Sequence, residues 1–262
     1  MLVSKLSTRF PVFGWLPLTH SAHGSHRGGR HWGRENTHAT YCKAVYEAKT
    51  NILEIDIWQT QDEHLVLNHD GVVNGVSIPT ASLKDLQLAD KELVTLNQIL
   101  DEFTSVKELT FFFDMKHERA IPKTFATIEK YSIHNRVMFG AVDYQINQAV
   151  KNLKPPDIPL CADVQTMMKI AYIYESTGTF NEALVKNHDI VGIFVEKNTL
   201  SILKEDLFKL FHQYEKPIAL VGGELDNPQI IKDMIRYGAD ILFSDRPDVL
   251  RQTLDSVAQE KK

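Results

Sequence analysis

The sequence predicts a (β/α)8 TIM barrel with a short insertion after a metal-site hairpin. Three observations point there. Between Leu109 and Val257, strand-like and helix-like stretches alternate in a regular rhythm of six pairs. Upstream, a unit around Ile52–Trp58 and one strand before His26 bring the strand count to eight. The length of 262 residues suits one barrel of this kind. A doubly wound open sheet is the alternative that the same alternation allows.

The elements follow in chain order. The first strand is the hardest to place, because Thr19–Ser25 is polar where an inner barrel strand is apolar. Thr37–Thr50 carries Tyr41, Ala44, Val45 and Ala48 on one helical stripe, with Asn36 or Thr37 as N-cap. Ile52–Trp58 is an apolar strand except for Glu54 and Asp56, which are two apart and so share one face. His64–His69 is a second strand. Only Gln59–Glu63 separates the two. A parallel crossover needs roughly a dozen residues, so the pair is an antiparallel hairpin that turns His69 back toward the two carboxylates.

Residues 71–92 read as a small insertion, with Gly71, Gly75, Pro79 and a helical piece over Ala81–Leu88. Leu93–Phe103 is a helix with Thr95 near its start. The regular pairs follow: strands Leu109–Met115, Arg136–Gly140, Ile158–Ala162, Ile190–Glu196, Pro217–Val221 and Asp240–Phe243, each followed by a helix. The helices are Arg119–Tyr131, Tyr144–Leu153, Gln165–Glu175, Glu205–Tyr214, Asn227–Tyr237 and Asp248–Val257.

Active sites of such barrels lie at the C-terminal ends of the strands. His26, Glu54, Asp56 and His69 fall there. So do Asp114 and Lys116, which close the apolar run Leu109–Phe113. A buried strand carries charge at its end mainly when a site needs it. Glu54, Asp56 and Asp114 are natural ligands of a hard divalent ion, Arg27 and Lys116 natural contacts of a phosphate, and His26 and His69 natural proton carriers. Read singly, each histidine is a structural residue, and Asp114 with Lys116 a strand-end ion pair. In His20-x-x-His23-x-x-His26, His20 and His23 read as loop residues. Phe111–Phe113 reads as core.

Composition bounds the partners. A net charge of −5 gives no reason to expect nucleic acid. Cys42 and Cys161 are too few for a disulfide framework, which suits a reduced, cytoplasmic setting. No stretch is long and apolar enough to cross a bilayer. Residues 1–34 hold Lys5, Arg9, Arg27, Arg30 and Arg34 and no acid, as an organelle transit segment would. The other reading is that residues 1–20 are an extension of one domain spanning 1–262. The oligomeric state is not legible.

His26-Arg27-Gly28-Gly29, Glu35-Asn36-Thr37, Glu54-Ile-Asp56, Thr60-Gln-Asp62, His69-Asp70, Asp114-Met-Lys116 and Ser244-Asp245-Arg246-Pro247 together resemble the glycerophosphodiester phosphodiesterase family. Within it, Ser25-His-Arg-Gly-Gly and the strand ending Asp-x-Lys look most like the lysophospholipase D branch. The resemblance implies hydrolysis of a glycerophosphodiester, water-soluble or a lysolipid, to sn-glycerol 3-phosphate or a lysophosphatidic acid. It implies Mg²⁺ or Ca²⁺ on Glu54, Asp56 and Asp114, and His26 and His69 as general acid and base. Arg27 and Lys116 would neutralise the phosphodiester. Two departures stand out. Arg34 replaces the usual proline before Glu-Asn-Thr, and the seventh strand reads Ile218-Ala219-Leu220-Val221 where the family often has a tryptophan. A phospholipase C-like barrel and a silent phosphate-binding barrel are the other readings.

Overall fold

The computed structural model describes residues 21–260, so the predicted extension over residues 1–20, that part of the transit-like stretch 1–34, and His20 lie outside the described residues. Seven strands form one curled, wholly parallel sheet: β1 (Ala22–Ser25), β2 (Ile52–Gln59), β6 (Thr110–Met115), β7 (Val137–Gly140), β8 (Val191–Phe194), β9 (Ile218–Val221) and β10 (Ile241–Ser244). Their spatial order is β7-β6-β2-β1-β10-β9-β8. A short β3 (Leu65–Leu67) pairs antiparallel with β2, Ile57 opposite Leu67, as the short Gln59–Glu63 connection requires.

The barrel is not fully closed. Ile158–Ala162, expected as the strand between β7 and β8, makes only single bridges, Leu160 to Phe139 and Cys161 to Ile190. Pro159, within this stretch, has no N–H to donate to the ladder. The N–H of Leu160 goes instead to the Asp189 carboxylate at 3.1 Å.

The helices pack on the outside. α1 (His38–Cys42) is capped by the Thr37 side chain, which accepts from the N–H of Thr40, and continues as a wider π-turn over Lys43–Glu47. α2 (Leu83–Ala89) and α3 (Leu96–Phe103) come next, the latter with a reciprocal Thr95–Gln98 capping box. α4 (Ala120–Tyr131), α5 (Tyr144–Leu153), α6 (Val164–Thr177), α7 (Glu182–Lys186), α8 (Glu205–Gln213), α9 (Pro228–Tyr237) and α10 (Pro247–Glu260) complete the set. Two large apolar clusters lie between helices and sheet. A third, with Ala22, Ile52, Phe112, Met138, Cys161, Ala219 and Phe243, fills the space that the sheet encloses.

Two expectations need correction besides the Ile158–Ala162 strand, and the Phe111–Phe113 core is borne out with one added detail. His23 is not a loop residue but a buried member of β1. Strand alternation sends Phe111 and Phe113 outward to the helices but Phe112 inward, where it meets Phe243 at 5.2 Å between ring centres. The insertion holds a hairpin that the expected helix left out: β4 (Val72–Val73) pairs with β5 (Val76–Ser77) through Asn74-Gly75, both at positive φ. Val73, Ile78 and Leu86 pack there on Val66 and Leu93 as a small core of their own. Arg34 ties the chain before α1 to this insertion through Asp90 and Glu92.

Candidate active site

The site sits where β1, β2, β6 and β10 end. β1 and β10 run parallel with Ser25 opposite Ser244, so the next residues, His26 and Asp245, stand side by side. His26 Nδ1 lies 2.7 Å from Asp245 Oδ1, and Arg30 Nε donates to Asp245 Oδ2 at 2.6 Å. Burial alone would raise the Asp245 carboxyl. The hydrogen bond and charge of His26, then those of Arg30, outweigh it and hold the group below its ordinary value. An ionised Asp245 accepts the Nδ1 proton and leaves His26 Nε2 for the cavity.

The His-Arg-Gly-Gly turn is tight. Arg27 is held at φ 52°, and its N–H donates to Glu54 Oε2 at 2.7 Å. Gly29, at φ 104°, must be glycine, since a Cβ there would lie 2.6 Å from the Pro247 ring.

Glu54, Asp56 and Asp114 converge. β2 and β6 pair with Asp56 opposite Asp114, and strand alternation brings Glu54 to the same inner face. One oxygen from each lies within 4.8 Å of the others, and all three residues are buried. Burial, then the charges of Asp56 and Asp114, pushes Glu54 well above the ordinary carboxylate range. Burial also raises Asp114, only partly offset by Lys116. Asp56 goes the other way. Against its burial, the charges of Lys116 and Arg27 and a 2.8 Å hydrogen bond from Asn36 bring it down. Tyr41 donates to Asn36 Oδ1 at 2.7 Å and so fixes the amide.

Lys116 spans the pair, with Nζ 2.6 Å from Asp114 Oδ2 and 2.9 Å from Asp56 Oδ1. Burial would depress its ammonium, but the two carboxylates hold it above its usual value. The other oxygen of Asp114, Oδ1, is buried and has no hydrogen-bond partner among the described residues. A buried carboxylate cluster with unused oxygen capacity is a donor set that a hard divalent ion fits.

His69 follows the β2–β3 hairpin, and the N–H of Asn68 reaches the carbonyl of Asp56 at 3.3 Å. Its Nδ1 meets Asp70 Oδ1 at 2.6 Å. Unlike Asp245, this partner is 80% exposed at its side chain.

A cavity of about 210 Å³ joins these groups. One wall is charged: His26, Arg27, Glu54, His69, Asp114 and Lys116, so six of the seven expected site residues line it. Asp56 stands behind, under Lys116 and Arg27. The opposite wall is apolar, made by Phe112, Val164, Phe194, Ala219, Val221 and Phe243 with small Gly140 and Gly192 between them. The tryptophan-free seventh strand thus contributes Ala219 and Val221 to an open apolar side. Cys161 also lines the cavity, and burial followed by the charge of Asp114 pushes its thiol up to about 12.

The spacing of residues missed the supports: Asp245 and Arg30 for His26, Asn36 and Tyr41 for Asp56, Glu35 for Arg27 at 3.2 Å. Ser244-Asp245-Arg246-Pro247 and Glu35-Asn36-Thr37 carried the family resemblance without a role. Asp245 reaches His26 only through the parallel pairing of β1 with β10, and Glu35 and Asn36 reach Arg27 and Asp56 from the turn before α1.

Comparison with known proteins agrees with the fold. A solved glycerophosphodiester phosphodiesterase from Parabacteroides distasonis superposes with a TM-score of 0.70 at 17% identity, over 92% of this chain and 97% of that one. A phosphodiesterase of Oleispira antarctica, solved with the product sn-glycerol-3-phosphate, gives 0.71 at 16% identity over 93% and 99%. At these identities the likeness is one of fold. Human lysophospholipase D GDPD1 is 24% identical over 176 residues, 59% of this chain and 55% of the human protein, so the match spans about half the length of that relative. The sequence profile of the glycerophosphoryl diester phosphodiesterase family matches residues 26–249, from the first site histidine into α10, and the chain belongs to that family.

Proposed function

We propose that this chain hydrolyses glycerophosphodiesters, lysophospholipids among them, to a glycerol phosphate or lysophosphatidic acid and a free alcohol. The observation that carries the reading is the convergence of three buried carboxylates on one cavity wall that also holds two histidines, an arginine and a lysine. The frame is read as a (β/α)8 barrel with Ile158–Ala162 as its eighth stave.

Glu54, Asp56 and Asp114 would hold a divalent cation, Mg²⁺ or Ca²⁺. When bound, the cation supplies charge stabilisation to the phosphodiester oxygens. Arg27 and Lys116 add positive charge on the same side. His26, its Nδ1 proton held by Asp245, offers Nε2 to the reacting oxygens. His69 works from the opposite flank with Asp70 behind it. One imidazole takes a proton from the nucleophile as the other gives one to the leaving alcohol, so the two must start in opposite protonation states.

The apolar wall favours a substrate with an acyl chain. Glycerophosphocholine has nothing to bury against Phe194, Ala219, Val221 and Phe243, and a lysophospholipid does. The name of the human relative points the same way.

The test is a product assay. Purified protein is given glycerophosphocholine or lysophosphatidylcholine with Mg²⁺, Ca²⁺ or EDTA, and the phosphorylated product is identified. Release of free choline, lost with EDTA, is expected. Phosphocholine as product would move the chain to phospholipase C-type cleavage. No product from either substrate, with or without metal, would leave a phosphate-binding barrel.

A further inference from the structure

Away from the cavity, on the outer layer of helices, three residues of a different chemistry meet. His38 and Cys42 are one helical turn apart on α1 and so share a face. Glu102, in the last turn of α3, comes up against them. Cys42 Sγ lies 3.8 Å from His38 Nε2, and His38 Nε2 lies 3.8 Å from Glu102 Oε2. One donor atom from each falls within 4.8 Å of the other two. A tetrahedral zinc ion with its usual bond lengths would set such donor pairs roughly 3.4–3.6 Å apart. The His38–Cys42 and His38–Glu102 separations are within a few tenths of an ångström of that spacing, and side-chain rotation closes the Cys42–Glu102 one.

The donors are also held in place. The His38 ring stacks on Phe103 at 6.2 Å with 25° between planes. The other oxygen of Glu102 accepts from Tyr46 OH at 3.1 Å, which leaves Oε2 directed at His38. Outer partners of this kind orient the ligands of zinc sites. The donor set is informative as well. Thiolate, imidazole and one carboxylate suit Zn²⁺, whereas the oxygen-only set in the cavity suits Mg²⁺ or Ca²⁺.

We propose that His38, Cys42 and Glu102 form a second metal site, one that takes Zn²⁺ with solvent as fourth ligand and clamps α1 to α3. On binding, the Cys42 S–H proton leaves to solvent as the metal–sulfur bond forms, so affinity rises with pH. The clamp acts on the helix whose cap, Thr37, directly follows Asn36, the residue that hydrogen-bonds Asp56. The inference does not depend on how the cavity is read.

Co²⁺ serves as the spectroscopic probe, on the full chain. Wild type is expected to show thiolate-to-cobalt charge-transfer absorption that saturates at one thiolate-bound equivalent and is bleached by Zn²⁺. Cys42→Ser should abolish the band. Cys161→Ser should keep it, since that thiol lies in the cavity. His38→Asn should weaken binding at least tenfold and, like Cys42→Ser, remove the rise in Tm that Zn²⁺ produces in wild type. Both substituted residues are partly exposed, so the variants fold, and circular dichroism checks this. No thiolate band at stoichiometric Co²⁺, or a band that survives Cys42→Ser, would overturn the proposal.

Discussion

His26 and Asp245 are far apart in sequence and 2.7 Å apart in space, joined by the parallel register of the first and last strands. The contact gives His26 a fixed tautomer and a buried counter-charge, with Arg30 holding the second carboxylate oxygen. Asp245→Asn keeps the shape but lets the amide donate, which favours the wrong tautomer. A fall in kcat of about 10²-fold or more is expected, with KM little changed.

Asp70 makes the matching contact to His69, but from solvent. Water can replace an exposed carboxylate, so Asp70→Asn should lower kcat less than about tenfold. His26→Ala and His69→Ala should each cost about 10²–10⁴ in kcat. Full activity in His69→Ala would remove that residue from the chemistry.

Lys116 neutralises Asp56 and Asp114 together. Lys116→Met leaves two buried carboxylates without it, and about 3 kcal/mol of stability should be lost in urea unfolding with EDTA present. Mg²⁺ or Ca²⁺ should restore part of the loss, because a cation between Glu54, Asp56 and Asp114 takes over the neutralisation. An equal loss with and without the cation would argue against a metal at this trio.

Buried His23 makes stability pH-dependent in a predictable direction. Burial, then the charge of Arg251, lowers its pKa from 6.5 to about 4. In the unfolded chain the ring takes its proton near pH 6.5. The stabilising effect of keeping it neutral is therefore fully present above that pH and is lost as pH falls toward 4. The loss attributable to His23 should approach about 3 kcal/mol. His23→Leu should flatten this part of the curve, measured by urea unfolding between pH 4 and 7.

The apolar wall can be tested through Ala219. Ala219→Leu projects added methyl groups into the cavity opposite the charged wall. Turnover of lysophosphatidylcholine should fall several-fold more than that of glycerophosphocholine. Equal losses on both substrates would place the acyl chain elsewhere.

The sequence by itself determined the strand–helix rhythm and the β2–β3 hairpin, and it singled out seven candidate site residues, six of which line one cavity. These are local signals. Alternation in Ile52–Trp58 puts Glu54 and Asp56 on one face, and a five-residue connection permits only an antiparallel return that carries His69 with it. Lys116 and Asp114 stood out because charge at the end of an apolar strand is expensive unless used. Tertiary structure decided what spacing does not encode. Asp245 reaches His26, and Arg34 reaches Asp90 and Glu92, only after strand pairing and chain packing bring distant segments together. The pairing of Ile158–Ala162, a single bridge to each neighbour around a proline that has no N–H for the ladder, also appears only in the folded sheet. The open apolar wall came from small residues on β7, β8 and β9, a cavity that exists because side chains are absent, and absence has no periodicity to read.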